Sequence, residues 1–159
     1  MHSMHLSSLL NANLIKLGVQ EDNIESICKM LLEDFYDSYI FPEPKQSVLR
    51  KLMEREDQEP TSFSTGFAIP HIHLDNFDDT IIGIAVPEVP ISSVNGPIRI
   101  VFMVISGVVQ SNLYLHVLQS IVKISRNKDY FDHLLSCGKA HDFIKLIEGG
   151  DYSVKKNLS

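Results

Sequence analysis

Two β-branched apolar runs constrain the fold of this chain more than any other feature of its sequence. They are Thr80 to Val86 and Ile98 to Ile105, and prolines and glycines bound both of them. Runs of this length and composition, set off by such residues, are typical of β-strands. Both are far shorter than the roughly 20 apolar residues that span a bilayer, and nothing resembles a signal peptide, so we expect no membrane insertion. The chain is therefore expected to fold around a β-sheet.

Helical periodicity lies on both sides of these strands. Apolar residues recur at the spacing of one helix face in five segments: 24–35, 46–56, 113–124, 131–135 and 143–147. Residues 21–23 offer capping groups for the first helix, and Gly149-Gly150 is expected to stop the last one. A short turn-forming segment is expected at 6–13, and a short edge strand at 91–94. The order of helices, strands and helices predicts an α/β fold with a mixed β-sheet flanked by α-helices.

The length of 159 residues is that of a single domain. We expect residues 6–150 to form it, with an N-terminal extension at 1–5 and a frayed tail at 151–159. The net charge of −6 argues against nucleic acid as a partner, because phosphate backbones attract clustered Lys and Arg. A basic or apolar protein surface would suit it better. Cys28 and Cys137 lie far apart without C-x-x-C spacing, so we expect neither a disulfide nor a zinc site, and we expect a reduced cytoplasm.

One segment, Thr65 to Asp75, concentrates residues that can carry chemistry. A short apolar run ends at Pro70 and is followed by two histidines, His71 and His73, and by the carboxylate of Asp75. The apolar run predicts a short buried strand, and pairing is expected to end at Pro70, because proline has no N–H to donate to a ladder. His71 would then lie at the exit of the strand, where a side chain is both held and reachable.

Three interpretations of this segment are open from the residues themselves. In an extended chain His71, His73 and Asp75 face one side, which is the geometry of a metal site and superficially that of the binuclear metallohydrolases. In those enzymes a further histidine follows, whereas this chain has Asn76. A loop histidine can also simply cap or pack. Finally, neutral imidazole has a free ring nitrogen near pH 7 and can take a phosphoryl group, provided that a cation and a second donor are close.

The residues that lead up to His71 form a recognisable pattern. Residues 52–71 read Leu-Met-Glu-Arg-Glu-Asp-Gln-Glu-Pro-Thr-Ser-Phe-Ser-Thr-Gly-Phe-Ala-Ile-Pro-His. This segment resembles the L-x-x-R-E … T … G-x-A-I-P-H signature of the fructose and mannitol type (type 2) enzyme IIA domains of the bacterial phosphotransferase system, including the spacing from Arg55 to His71. Residues 6–11 resemble the start of the nitrogen-regulatory branch, and residues 94–102 and 114–118 follow in the family's order. The resemblance covers nearly the whole chain.

This resemblance implies roles for individual residues. His71 would accept a phosphoryl group from the phosphohistidine of an HPr-like carrier, and Arg55 would neutralise the phosphate. The plainer interpretation of Arg55 is a solvated helix-end residue paired with a neighbouring carboxylate. The family's second active-site histidine falls on Tyr114, whose hydroxyl could donate to a phosphoryl oxygen or whose ring could simply be packed. His116 lies two residues further on, about 200° around a helix, and would face elsewhere unless the helix register is shifted.

The resemblance also implies a function with stated alternatives. The chain would be a cytoplasmic phosphocarrier with a regulatory, nitrogen-type role, in which phosphorylation of His71 changes which target proteins bind. No metal or organic cofactor is implied, because the phosphoryl group moves directly between protein histidines. Alternatively, it would be a sugar-type IIA component that passes phosphate to a separate IIB protein. A binding module of the same fold that is not phosphorylated, or a metal-dependent hydrolase that uses His71, His73 and Asp75, are the other candidates.

Overall fold

The computed structural model describes residues 5–150. The expected tail at 151–159, and the expected N-terminal extension apart from His5, lie outside the described residues. No helix within the described range is long and apolar enough to cross a membrane.

Within residues 5–150 six strands form one mixed sheet, so the predicted α/β fold class is confirmed. The strands are β1 (Ile15–Val19), β2 (Ser62–Phe63), β3 (Phe67–Ala68), β4 (His71–Leu74), β5 (Thr80–Pro87) and β6 (Ile100–Gly107). They run in the order β1-β5-β6-β3-β2, and β4 also pairs with β6. The β1–β5, β3–β6 and β4–β6 pairs are parallel, whereas β5–β6 and β2–β3 are antiparallel.

In the part of the chain that the structure describes, five α-helices cover the two faces of this sheet, at the positions that the periodicity predicts. They are α1 (Ile24–Ser38), α2 (Lys45–Gln58), α3 (Ser111–Arg126), α4 (Lys128–Leu135) and α5 (Ala140–Gly149). Asn23 caps α1, since its side chain accepts a hydrogen bond from the Ser26 amide at 2.8 Å. Two short 3₁₀ helices, Leu6–Leu9 and Ala12–Leu14, precede β1.

Both faces of the central strand β6 are buried, which accounts for its unbroken apolar run. Successive side chains of a strand point to opposite faces, and both faces of β6 are covered. Even-numbered residues from Ile100 to Val104 pack in one apolar cluster with α3, α4 and α5. Odd-numbered residues from Val101 to Ile105 pack in a second cluster with α1 and α2. The sheet therefore separates two cores, each about one helix layer thick.

The expectation that pairing ends at Pro70 is wrong. The amide of Val104 donates to the Pro70 carbonyl at 2.9 Å, and His71–Leu74 continues as β4, paired in parallel with β6. Proline removes a donor and keeps its acceptor, so the ladder is weakened at Pro70 without ending there. His71 is consequently the first residue of a strand and not the last.

Other local expectations differ from the structure in detail. The edge strand expected at 91–94 is reduced to a single bridge between Ile91 and Ile98. Strands β1 and β2 were not predicted. β1 has an irregular register around Gly18, whose φ of 67° interrupts the ladder to β5, and β2 is only two residues long.

Gly107, the last residue of β6, is required by a close approach of the backbone. A Cβ at this position would lie 1.8 Å from the carbonyl oxygen of Phe77. The Gly107 amide also donates to the Asp79 carbonyl at 3.0 Å. This contact ties the segment after β4 to the end of β6, and so fixes the strand that carries His71.

Candidate active site

Two hydrogen bonds fix the ring of His71 in one tautomer. Nδ1 lies 2.7 Å from the carbonyl oxygen of Ile69, and Nε2 lies 3.1 Å from Nη2 of Arg55. A carbonyl can only accept and a guanidinium can only donate, so Nδ1 carries the proton and Nε2 presents a lone pair. His71 is half-buried at the start of β4. Its geometry is that of a neutral imidazole with Nε2 as the nucleophilic atom.

The surroundings of His71 keep this ring neutral. Burial lowers the pKa of His71, and the nearby charge of Arg55 and the ring of His73 lower it further. The hydrogen bond to Ile69 and the charge of Glu59 act in the opposite direction but do not outweigh them. The imidazole is therefore unprotonated at neutral pH, as a nucleophile must be.

Arg55 and Glu56, in the last turn of α2, make separate contacts that both support the site. Arg55 is exposed and reaches His71. Glu56 turns to Thr61, since it accepts from both the hydroxyl and the amide of that residue. The amide of Ile69 in turn lies 3.2 Å from the Thr61 hydroxyl oxygen and 3.3 Å from its carbonyl. Through this chain Glu56 and Thr61 hold the residue whose carbonyl orients His71.

Tyr114, on the first turns of α3, packs against both histidines. Its ring is stacked on His71, with centroids 4.7 Å apart and an interplanar angle of 29°. It meets His73 edge to face at 5.2 Å. The side chain is 5% exposed, and its hydroxyl is buried without a hydrogen-bond partner among the described residues. Burial raises the pKa of Tyr114 to about 12, so the hydroxyl keeps its proton. A buried donor without a partner costs the folded protein its desolvation penalty.

These residues line an open cavity of about 580 Å³. Its walls are formed by Lys51, Arg55, His71, Ile72, His73, Tyr114 and Leu115. The lining therefore carries cations, two imidazoles and an aromatic ring. Lys51 is held by Glu43, with 2.7 Å between Nζ and Oε2, whereas Arg55 points to the nucleophile. Such a lining suits an anion.

The structure brings together three of the four residues that the sequence predicts for the site. His71, Arg55 and Tyr114 share the cavity. His116 is half-buried further along α3 and is not among the lining residues, in line with its expected rotation around the helix. Its carbonyl accepts from the Ser120 hydroxyl.

The three-ligand arrangement of the metal-site interpretation does not form among the described residues. His71 and His73 lie on one side of β4, but Asp75 is exposed beyond the end of that strand. Within residues 5–150, no three His, Cys, Asp or Glu side chains are grouped closely enough to hold a metal ion.

Sequence reasoning missed the residues that support the site from behind. The hydroxyl of Ser106 lies 2.7 Å from Nδ1 of His73, and the two residues are paired across β4 and β6. Glu56 and Thr61 lie in the recognised motif, but their contacts with each other were not predicted. The only signal for Ser106 was its polarity at the end of an otherwise apolar run.

Comparison with known protein families identifies the family of this chain. A sequence profile described as "Phosphoenolpyruvate-dependent sugar phosphotransferase system, EIIA 2" matches residues 8–150. The chain belongs to this family. It is thus a type 2 enzyme IIA, a component of a phosphotransferase system. No curated protein sequence matches it significantly.

Solved structures share the fold of this enzyme IIA. The nitrogen regulatory protein IIA-Ntr from Neisseria meningitidis has a TM-score of 0.74 at 15% identity, over 89% of this chain and 98% of that one. IIA mannitol from Escherichia coli has a TM-score of 0.69 at 16% identity, over 87% and 98%. IIA mannitol from the same organism, in its complex with phosphorylated IIB mannitol, has a TM-score of 0.69 at 17% identity, over 88% and 97%. At these identities the likeness concerns the fold.

Proposed function

We propose that this enzyme IIA is a phosphocarrier that accepts a phosphoryl group on Nε2 of His71 from the phosphohistidine of an HPr-like protein. The observation that carries the proposal is the pair of contacts on the His71 ring. The Ile69 carbonyl accepts the proton on Nδ1, and the guanidinium of Arg55 contacts Nε2. The nucleophile and the cation that the incoming phosphate needs therefore meet at one atom.

The transfer step needs no additional reactant. The lone pair of His71 Nε2 forms a bond to phosphorus while the nitrogen–phosphorus bond of the donor breaks, and that electron pair stays on the donor imidazole. The proton on Nδ1 of His71 remains in place and is shared with the Ile69 carbonyl. The phosphorylated ring gains positive character, and the hydrogen bond to this carbonyl stabilises it.

Arg55 and Tyr114 bind the transferred group. The guanidinium neutralises charge on the phosphoryl oxygens, and the Tyr114 hydroxyl donates to one of them. The hydroxyl has no partner among the described residues, but it is fully buried, so this contact requires the Tyr114 side chain to move towards the cavity. His116 takes no part, because it does not line the cavity.

The donor protein docks on apolar surface close to the cavity. Exposed apolar side chains lie between β6 and the first turns of α3: Val108, Val109 and Leu115 are 51%, 82% and 50% exposed. Leu115 itself lines the cavity. A phosphoryl group adds about two negative charges next to this surface, which changes the partners that it can bind. The regulatory, nitrogen-type role is our preferred reading, because residues 6–11 resemble the start of the nitrogen-regulatory branch. In this reading the protein acts in the cytoplasm and residues 6–150 are its enzyme IIA domain.

A sugar-type role is the second candidate. In this role the phosphoryl group moves on to a separate IIB protein. The similarity in fold to the mannitol IIA protein that forms a complex with phosphorylated IIB mannitol favours it.

The test is phosphorylation of the purified protein by phosphoenolpyruvate, enzyme I and HPr, followed by mass spectrometry. We expect the mass gain of one acid-labile phosphoryl group in the wild type and in His141→Gln, a control that removes an exposed histidine of α5. The gain should be lost in His71→Ala. A wild type that takes up no phosphoryl group would refute the proposal and would favour a binding module.

A further inference from the structure

A second imidazole faces the site of phosphoryl transfer from the same strand. His73 lies two positions after His71 on β4, so both side chains leave the same face of the sheet. His73 is exposed and lines the same cavity, and the ring of Tyr114 contacts both histidines. The site therefore contains two imidazoles, both from β4.

Ser106 holds His73 in a way that permits a change of protonation. Its hydroxyl oxygen is 2.7 Å from Nδ1 of His73, and its side chain is completely buried at the paired position of β6. A hydroxyl can either donate or accept. It can donate to a bare Nδ1 when the imidazole is neutral, and it can accept from Nδ1–H when the ring is protonated. In both states Nε2 is left for a ligand.

The charges around His73 keep it neutral until an anion arrives. Although the residue is exposed, partial removal of its ring from water is the first cause that lowers the pKa of His73, and the charge of Arg55 lowers it further. The groups that face it are Arg55 and Lys51 from α2, His71 from β4, Tyr114 from α3 and Ser106 from β6. Lys51 is itself held by Glu43. A phosphoryl group on His71 brings roughly two negative charges among these groups and so favours the protonated form of His73.

We propose that His73 is the second imidazole of the phosphoryl site: it takes up a proton from solvent when His71 is phosphorylated and donates from Nε2 to a phosphoryl oxygen. This inference depends on the proposed function. It assigns a second imidazole of the cavity to β4, whereas α3 contributes the ring of Tyr114. Transfer itself remains as described, with the nitrogen–phosphorus bond moving from donor to His71, and the proton on His73 comes from water.

Two substitutions of His73 separate charge from hydrogen bonding. His73→Gln keeps a donor but cannot be protonated, whereas His73→Lys carries a cation at every pH of interest. The equilibrium between phosphorylated HPr and the protein is measured for both, with His141→Gln as the matched control. We expect the equilibrium constant of His73→Gln to fall roughly ten- to hundredfold below neutral pH, which is the range of a charge-assisted hydrogen bond.

The pH dependence of this loss has a definite sign. The loss should shrink as the pH rises, because His73 of the phosphorylated wild type is then deprotonated as well. His73→Lys should restore most of the equilibrium constant at all pH values. Ser106→Ala should weaken phosphorylation in the same direction, since Nδ1 then has no partner. The ring resonances of His73 in NMR titrations should show a higher pKa after phosphorylation than before it.

The results distinguish this inference from the proposed function. If the wild type accepts no acid-labile phosphate, the proposed function fails and the role of His73 fails with it. If the wild type is phosphorylated, but His73→Gln matches it at every pH and His73 titrates identically before and after, then the inference is wrong and the proposed function stands.

Discussion

Replacing Arg55 by Gln tests the electrostatic part of the site. The substitution removes the positive charge and leaves an amide donor on a shorter side chain. Arg55 is the side chain that contacts Nε2 of His71, the atom that would bear the phosphoryl group. We therefore expect slower phosphoryl transfer to His71 and a less stable phosphorylated form.

The magnitude follows from the contact distance and the exposure. Two unit charges about 4 Å apart attract by about 4 kcal/mol near a protein surface. Arg55 is exposed, so water and salt screen part of this attraction. The range of a hydrogen bond between charged groups, about 1.5–3 kcal/mol, is then appropriate, and it corresponds to roughly a ten- to hundredfold slower transfer.

The assay is rapid-quench measurement of transfer from radiolabelled phosphorylated HPr. Arg50→Gln is the matched control, because Arg50 lies on the same helix, is exposed and pairs with Glu54 at 3.9 Å. It removes the same formal charge without touching His71. Arg55→Lys should fall between the wild type and Arg55→Gln, since it keeps the charge and loses the planar fork. Equal rates for Arg55→Gln and Arg50→Gln would refute the assigned role of Arg55.

Three further predictions follow from single contacts. Tyr114→Phe should raise the free energy of unfolding of the unphosphorylated protein by about 1 kcal/mol in urea titrations, because it removes a buried hydroxyl that has no partner among the described residues. It should also shorten the lifetime of the phosphorylated form. A loss of stability would contradict the first expectation. The pKa of His71 is lowered in the folded state, so the unfolded chain binds more protons and the protein should lose stability as the pH falls below the ordinary value of 6.5. This loss of stability should be smaller in His71→Gln. An unchanged dependence of stability on pH in that variant would refute the prediction. Gly107→Ala should destabilise the fold by about 3 kcal/mol, because the added Cβ would meet the Phe77 carbonyl. Gly149→Ala, whose added Cβ meets open space, should change the free energy of unfolding by no more than about 1 kcal/mol. Similar unfolding midpoints for the two variants would contradict the close approach.

The elements whose signal is local were predictable from the sequence. Both long strands and all five helices are present where periodicity and length place them, because their residues pack on a sheet covered on both faces. The pairing of Arg55 with His71 followed from a motif with fixed spacing. Its geometric basis is that the end of α2 lies beside the start of β4.

The features that depend on register were not predictable. His73 meets Ser106 only because β4 and β6 pair in one specific alignment, 33 positions apart in the chain. β1 pairs with β5, which lies far along the chain, and Gly18 interrupts its pattern. Pro70 misled for a different reason, since its missing donor suggested the end of a strand although its carbonyl still pairs.

The most direct test of the site is to locate the phosphoryl group on the ring of His71. NMR of protein with ¹⁵N-labelled histidine, before and after phosphorylation by HPr, reports both the tautomer and the phosphorylated nitrogen. We expect the Nδ1–H tautomer of His71 before phosphorylation and phosphorus bonded to Nε2 afterwards, with Nδ1 still protonated against the Ile69 carbonyl. Phosphorus on Nδ1, or on any residue other than His71, would contradict the proposed phosphoryl site.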